Sequence, residues 1–200
     1  LPAHPWLPPP VFFAERSVSG AATECEIRSE TPDDGPHVDA LVAEVFGPGR
    51  FAKSAYRLRE GVDPEQGLSF VAVEGGTLRG SVRFWPVFVG KEPALLLGPL
   101  AVQSDQRGRG IGIALMERGI AEAKRLGHRA IILVGDPPYY ARVGFTPIPA
   151  GRIRFPGPVD RGRILGLALM DGAPESLEGE VSRARIDHPV VAASAATGPR

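Results

Sequence analysis

Cysteine is almost absent from these 200 residues. Cys25 stands alone, which excludes an internal disulfide and fits a reducing compartment. Net charge of either sign is also missing. The 23 basic and 23 acidic side chains cancel, so no electrostatic footprint for nucleic acid is present. No apolar run approaches the roughly 20 residues that a membrane span needs, and Val11-Phe12-Phe13 is too short for the apolar core of a signal peptide. The expected setting is cytoplasmic, with no membrane partner. His37, His128 and His188 are scattered without metal-ligand spacing, so no metal is expected. No internal repeat is visible.

What the chain does contain is punctuation and a core. With 25 glycines, 21 prolines and 43% hydrophobic residues, it should form one domain rich in turns. Residues 1–22, including Pro2, Pro5 and Pro8-Pro9-Pro10, read as a Pro-rich extension. The folded domain should cover 23–187, and 188–200 a flexible tail. A strand is expected over 24–29. Thr31-Pro32-Asp33-Asp34 has the capping side chain and early proline of a helix start. Val38, Leu41, Val42, Val45 and Phe46 follow at helical spacing and end at Gly47-Pro48-Gly49. A second short helix is expected over 51–59.

From Leu68 the period changes to two. Leu68 to Glu74, Gly75-Gly76 and Leu78 to Val89 predict a hairpin with a glycine turn, and Ala94 to Val102 a third strand. Gly98-Pro99 falls in the middle of that strand. Proline cannot donate to a ladder, so the pair predicts a bulge or an edge. Ala130 to Val134 reads as a short buried strand, Asp136-Pro137-Pro138 as the start of a brief helical turn, and Ile164 to Met170 as the last strand.

Between the third strand and an amphipathic run lies Gln106-Arg107-Gly108-Arg109-Gly110-Ile111-Gly112. A strand, a glycine turn and a helix N-terminus make a cradle for phosphate, because free N–H groups and the helix dipole both favour an anion. Ile111, Leu115, Met116, Gly119, Ile120, Ala123 and Leu126 trace one face of the helix, and Gly127 is its stop. A P-loop would need Lys-Ser/Thr where Ile113-Ala114 stands. A dinucleotide fingerprint would need glycine at its sixth position, which is Ile113, and a serial βαβ repeat rather than hairpins. The first is excluded and the second weakened, although Asp136 ends the next strand where a ribose-binding acid would sit.

A third reading rests on two motifs. Arg107-Gly108-Arg109-Gly110-Ile111-Gly112 resembles the Arg/Gln-x-x-Gly-x-Gly/Ala pyrophosphate loop of the GNAT acetyltransferase superfamily, and Leu100 to Asp105 resembles the strand leading into it. Tyr140-Ala141-Arg142-Val143-Gly144-Phe145 resembles that superfamily's Tyr-x-x-x-Gly-Phe signature. Element order is similar over about 24–150, and Asp136-Pro137-Pro138-Tyr139-Tyr140 resembles a branch of mostly uncharacterised acetyltransferases.

The resemblance implies an α/β fold with a mixed, centrally splayed sheet flanked by helices. It implies acetyl-coenzyme A as acyl donor and an amine, on a small molecule or a protein, as acceptor. Pantetheine would lie against the strand backbone at Leu100, Ala101 and Val102. The pyrophosphate would lie on the N–H groups of Gly108, Arg109, Gly110, Ile111, Gly112 and Ile113, with Arg107 and Arg109 beside it. Transfer would be by direct attack, and Tyr140 would protonate the departing thiolate.

The chain departs from that pattern twice. Leu133 stands seven positions before the tyrosine, where many members have Asn, and residues 94–102 contain no acid to act as base. Glu92, Asp105 or an ordered water beside strand carbonyls are the candidates, and water is preferred. Blander readings stay open: Arg107 and Arg109 as solvated charges, Tyr140 as a core aromatic, Tyr139 and Cys25 as packing residues. Phe84, Trp85 and Phe88 fit an acceptor pocket and half-buried strand packing equally. A coenzyme A-binding regulatory or scaffold module without turnover is the alternative from another class. A homodimer is left open.

Overall fold

The computed structural model describes residues 25–49, 54–171 and 177–184; the expected extension over 1–22 and the tail over 188–200 lie outside them. The chain begins with β1 (Glu26–Ser29). Pro32 opens a 3-10 turn that leads into α1 (Gly35–Phe46), where Val38 and Leu41 are buried. Asp34 holds this entrance closed. Its carboxylate accepts the Thr31 N–H at 2.8 Å and a forked pair of bonds from Arg28 at 2.7 and 2.9 Å. Of the expected second helix, α2 (Ser54–Arg57) is seen, and 51–53 lie outside the described residues.

The expected hairpins follow as β2 (Ser69–Glu74), β3 (Thr77–Val89) and β4 (Glu92–Val102). Then come α3 (Ile111–Arg125), β5 (Ala130–Val134) and the short α4 (Pro137–Tyr140). Two-residue pieces β6 (Thr146–Pro147) and β7 (Ile153–Arg154) precede β8 (Ile164–Ala168) and β9 (Gly179–Arg183). The sheet order is β1-β2-β3-β4-β5-β8-β6, with β9 pairing both β3 and β7. β9 takes the edge of β3 at Val87–Val89, beyond the last β2 pair at Arg83.

Strict alternation gives the sheet an apolar layer on each side. Leu95 and Leu97 of β4 and Ile131 and Leu133 of β5 join Ile111, Leu115 and Met116 of α3. Their neighbours Ala94, Leu96, Ala130 and Ile132 join Trp85, Ile153 and Phe155 on the other face. Strands buried on both sides read as continuous apolar runs, as these two do.

The sheet is mixed and opens at its centre. β3 and β4 are antiparallel, whereas β4 and β5 are parallel and pair only at Leu95–Ile131 and Leu96–Ile132. β4 continues to Val102 without a strand partner on the β5 side. The expected bulge sits at this parting. Phe84 pairs with Leu97 and Val82 with Leu100, so Gly98 and Pro99 together face Arg83. Proline's missing donor falls where the ladder is already irregular.

Candidate active site

The turn after β4 builds an anion cradle from backbone alone. Gly108 and Gly110 have φ of 83° and 84°, which favours glycine, and Gly110 caps α3. The first bond of α3 runs from Ala114 N–H to the Gly110 carbonyl at 3.0 Å. The N–H groups of Ile111, Gly112 and Ile113 therefore have no carbonyl partner within the helix. A Cβ on Gly112 would collide with the Tyr139 hydroxyl, so the tyrosine lies directly against the start of α3.

A cavity of about 440 Å³ opens over this cradle. The structure brings Leu100, Val102, Arg107, Gly108, Gly110, Ile111, Gly112, Ile113 and Tyr140 to its wall. Two residues singled out in the sequence are elsewhere. Ala101 is fully buried, and Arg109 turns outward to an ion pair with Glu74 at 2.6 Å. The cationic side chains on the cavity wall are Arg107 and Arg142. Arg142 lies inside the Tyr-x-x-x-Gly-Phe segment, and only the folding back of α4 brings it to the loop.

A second cavity, of about 610 Å³, lies on the other side of Tyr140. Its walls come from α1, α2, the bulge of β4 and the segment from Pro158 to Arg163. Phe46, Leu100 and Tyr140 line both cavities. Tyr140 thus stands at a seam, with Leu100 from the part of β4 that has left β5. Its ring meets Tyr139 and Phe145 edge to face, with centroids 5.2 and 5.9 Å away. Burial pushes its hydroxyl up to about 12, helped by Tyr139 and opposed by Arg163 and Arg59. It stays a protonated phenol at neutral pH.

The family model for the acetyltransferase (GNAT) family matches residues 37–145. The chain belongs to the GNAT acetyltransferase family. It is an acyltransferase, and its mixed, splayed sheet flanked by helices is the fold expected of that family. Its relatives include an uncharacterised N-acetyltransferase, YhbS, of Escherichia coli K12, 38% identical over 122 residues that cover 60% of this chain and 72% of YhbS. A second Escherichia coli K12 N-acetyltransferase, YjhQ, also uncharacterised, is 30% identical over 129 residues, or 62% of this chain and 71% of YjhQ. The solved structure of Escherichia coli YhbS in complex with CoA superposes with a TM-score of 0.69 at 32% identity, covering 83% of this chain and 93% of that one. A Brucella melitensis GNAT acetyltransferase in complex with acetyl-CoA gives a TM-score of 0.62 at 26% identity, covering 82% and 97%.

In this GNAT chain the second cavity holds the side chains that the sequence did not single out. Arg59 sits beside the bulge, where a Cβ on Gly98 would come within 3.1 Å of its Nη2. Among the described residues its Nε is buried without a hydrogen-bond partner, and so is Trp85 Nε1. Burial lowers the Arg59 guanidinium to about 10, still a cation at neutral pH. Arg83, by contrast, is neutralised by Glu30 and by Asp39 at 3.0 Å. Of the aromatics proposed for an acceptor pocket, only Trp85 lines the cavity; Phe84 is fully buried against α3. Among the described residues, no cluster of His, Cys, Asp and Glu could hold a metal ion, and no helix is long and apolar enough to cross a membrane.

Proposed function

We propose that this chain transfers an acetyl group from acetyl-coenzyme A to an amine by direct attack, with Tyr140 as general acid. The observation that carries this reading is the position of Tyr140 on the wall of both cavities. The glycine cradle fits the donor's pyrophosphate: three helix N–H groups are free of carbonyl partners, and Arg107 and Arg142 add positive charge. The backbone of β4 from Leu100 to Val102, paired with β3 but not on the β5 side, fits an extended amide chain, which would add to it like a strand. The relatives solved with CoA and acetyl-CoA support the same donor.

Acetyl-coenzyme A supplies an activated acyl group and a thiolate leaving group. The residues of this chain do the rest. Gly108 to Ile113 and β4 fix the donor's position, and Tyr140 holds a proton at the seam where the thiolate departs. Glu92 pairs with Val89 at the far end of β4, and Asp105 accepts a bond from Gln106 Nε2; neither lines a cavity. An ordered water beside the β4 carbonyls is the base this arrangement favours.

The absence of an acid on residues 94–102 is the one observation that favours a coenzyme A-binding module without turnover. Thiol release from acetyl-coenzyme A, followed across a panel of amines, separates the two. Enzyme-dependent release that requires an amine is the expected result. Coenzyme-induced stabilisation with no release on any amine would assign the module instead.

A further inference from the structure

The acceptor side of the seam contains donors with nothing to donate to. Arg59 Nε and Trp85 Nε1 are both shut off from water and both lack a partner, and both side chains line the second cavity. Arg163 lines it too. Its Nε donates to the Gly135 carbonyl at 3.2 Å. Neither Arg59 nor Arg163 has an ion pair among the described residues. A buried guanidinium Nε–H and a buried indole N–H are costly unless something accepts from them. Among the described residues neither atom has an acceptor within hydrogen-bond distance, whereas Arg83 nearby has Glu30 and Asp39.

We infer that the second cavity takes an amine that also carries a carboxylate, held by the Arg59 guanidinium. A planar guanidinium matches a carboxylate through two parallel bonds. Arg59 lies against Gly98, at the point where β4 and β5 part, and its charge acts on the Tyr140 hydroxyl. Arg59 and Tyr140 line the same cavity, so one small acceptor, such as an amino acid, can present a carboxylate to the first and an amine to the second. Asp39, Glu60 and Asp160 also line this cavity, Asp39 being paired with Arg83, and Pro99, Val134 and Val159 make other parts of the wall apolar, which suits a hydrocarbon side chain better than a second carboxylate. The inference rests on the acetyl-transfer reading and adds to it the class of acceptor.

The test uses matched pairs that differ only in the carboxylate: L-phenylalanine with phenethylamine, and L-leucine with 3-methylbutylamine. Thiol release by the whole chain should give the carboxylate member a kcat/KM higher by about 10- to 100-fold, the scale of one charge-assisted hydrogen bond. Arg59→Met should bring the pair close to parity by raising KM for the carboxylate member, while coenzyme A still raises the melting temperature. Equal or better turnover of the plain amines would overturn the inference and leave acetyl transfer standing. So would an equal loss of kcat on both members in Arg59→Met, which would place the arginine at the reacting atoms. Coenzyme A binding with no release from any amino acid would also count against it. A chain that coenzyme A does not stabilise at all would overturn the acetyl-transfer reading, and the inference would fall with it. If Arg59→Met does not fold, Arg59→Lys serves: it keeps the charge but loses the planar fork, and must still narrow the preference.

Discussion

A phenol that keeps its proton well into the alkaline range is suited to giving it up only when a strong base forms beside it. Tyr140 is such a group, raised to about 12 by burial and by Tyr139 and drawn back by Arg163 and Arg59. The rate should therefore rise as the amine deprotonates and show no falling limb below about pH 10. Tyr140→Phe should lower kcat by about 10²–10⁴ with coenzyme binding kept; an unchanged kcat would remove Tyr140 from the role. Asp34 shows the opposite shift, for a structural reason. The Arg28 guanidinium holds its carboxyl far below the usual range, and the Thr31 N–H and hydroxyl add to this. A depressed folded-state value stabilises the fold above the unfolded value of about 4, and the effect is lost as pH falls through the folded value. Asp34→Ala should cost about 1–2 kcal/mol at pH 7, as losses of helix-entrance caps do. Denaturation at pH 3 should show a smaller difference, and a difference independent of pH would mean that the charge contributes nothing.

Packing between elements turns on one glycine of α3. Gly119 lies in the helix interior, where alanine would ordinarily gain about 1 kcal/mol. A Cβ there would overlap the ring of Phe84, which is fully buried between β3 and the helix. Overpacking of that kind costs about 1–3 kcal/mol and outweighs the propensity gain. Gly119→Ala should thus be destabilising in urea denaturation; a stabilised variant would mean that Phe84 moves aside freely. The elements legible in the sequence are those whose period is local. The hairpins from Ser69 to Val102, the apolar face of α3 and the all-apolar β5 each carry their own pattern. β9 does not: Val181 is its one buried side chain, and its partner strand β3 is far away in sequence. The candidate site divides the same way. The glycine loop and Tyr140 stand in short contiguous motifs, whereas Arg59 and Arg163 look like any surface arginine until the fold brings both to the wall of one cavity. The ion pair of Arg109 was not legible for a related reason: its partner Glu74, at the end of β2, is 35 residues away in sequence.

The whole molecule is arranged around the parting of β4 and β5, with the first cavity made from nearby sequence and the second from distant segments. Leu100 to Ile113 and Tyr139 to Arg142 supply most of the first cavity. The second needs α1 and α2 to meet the segment after β7, a junction held by the Ser54 hydroxyl donating to the Pro158 carbonyl at 2.8 Å. A ligand that occupies the first cavity binds only the folded chain, since unfolding scatters the loop from β4 and α4. Binding must then raise stability by mass action. Coenzyme A at about 100 times its dissociation constant should add roughly 2.7 kcal/mol, read as a rise in melting temperature. NAD should give none, because the turn lacks the sixth glycine and the βαβ setting of a dinucleotide fingerprint. Arg107→Ala should reduce the coenzyme shift more than Arg109→Ala, because Arg107 lines the cavity while Arg109 is held by Glu74. A shift with NAD and none with coenzyme A would overturn the assignment of the donor.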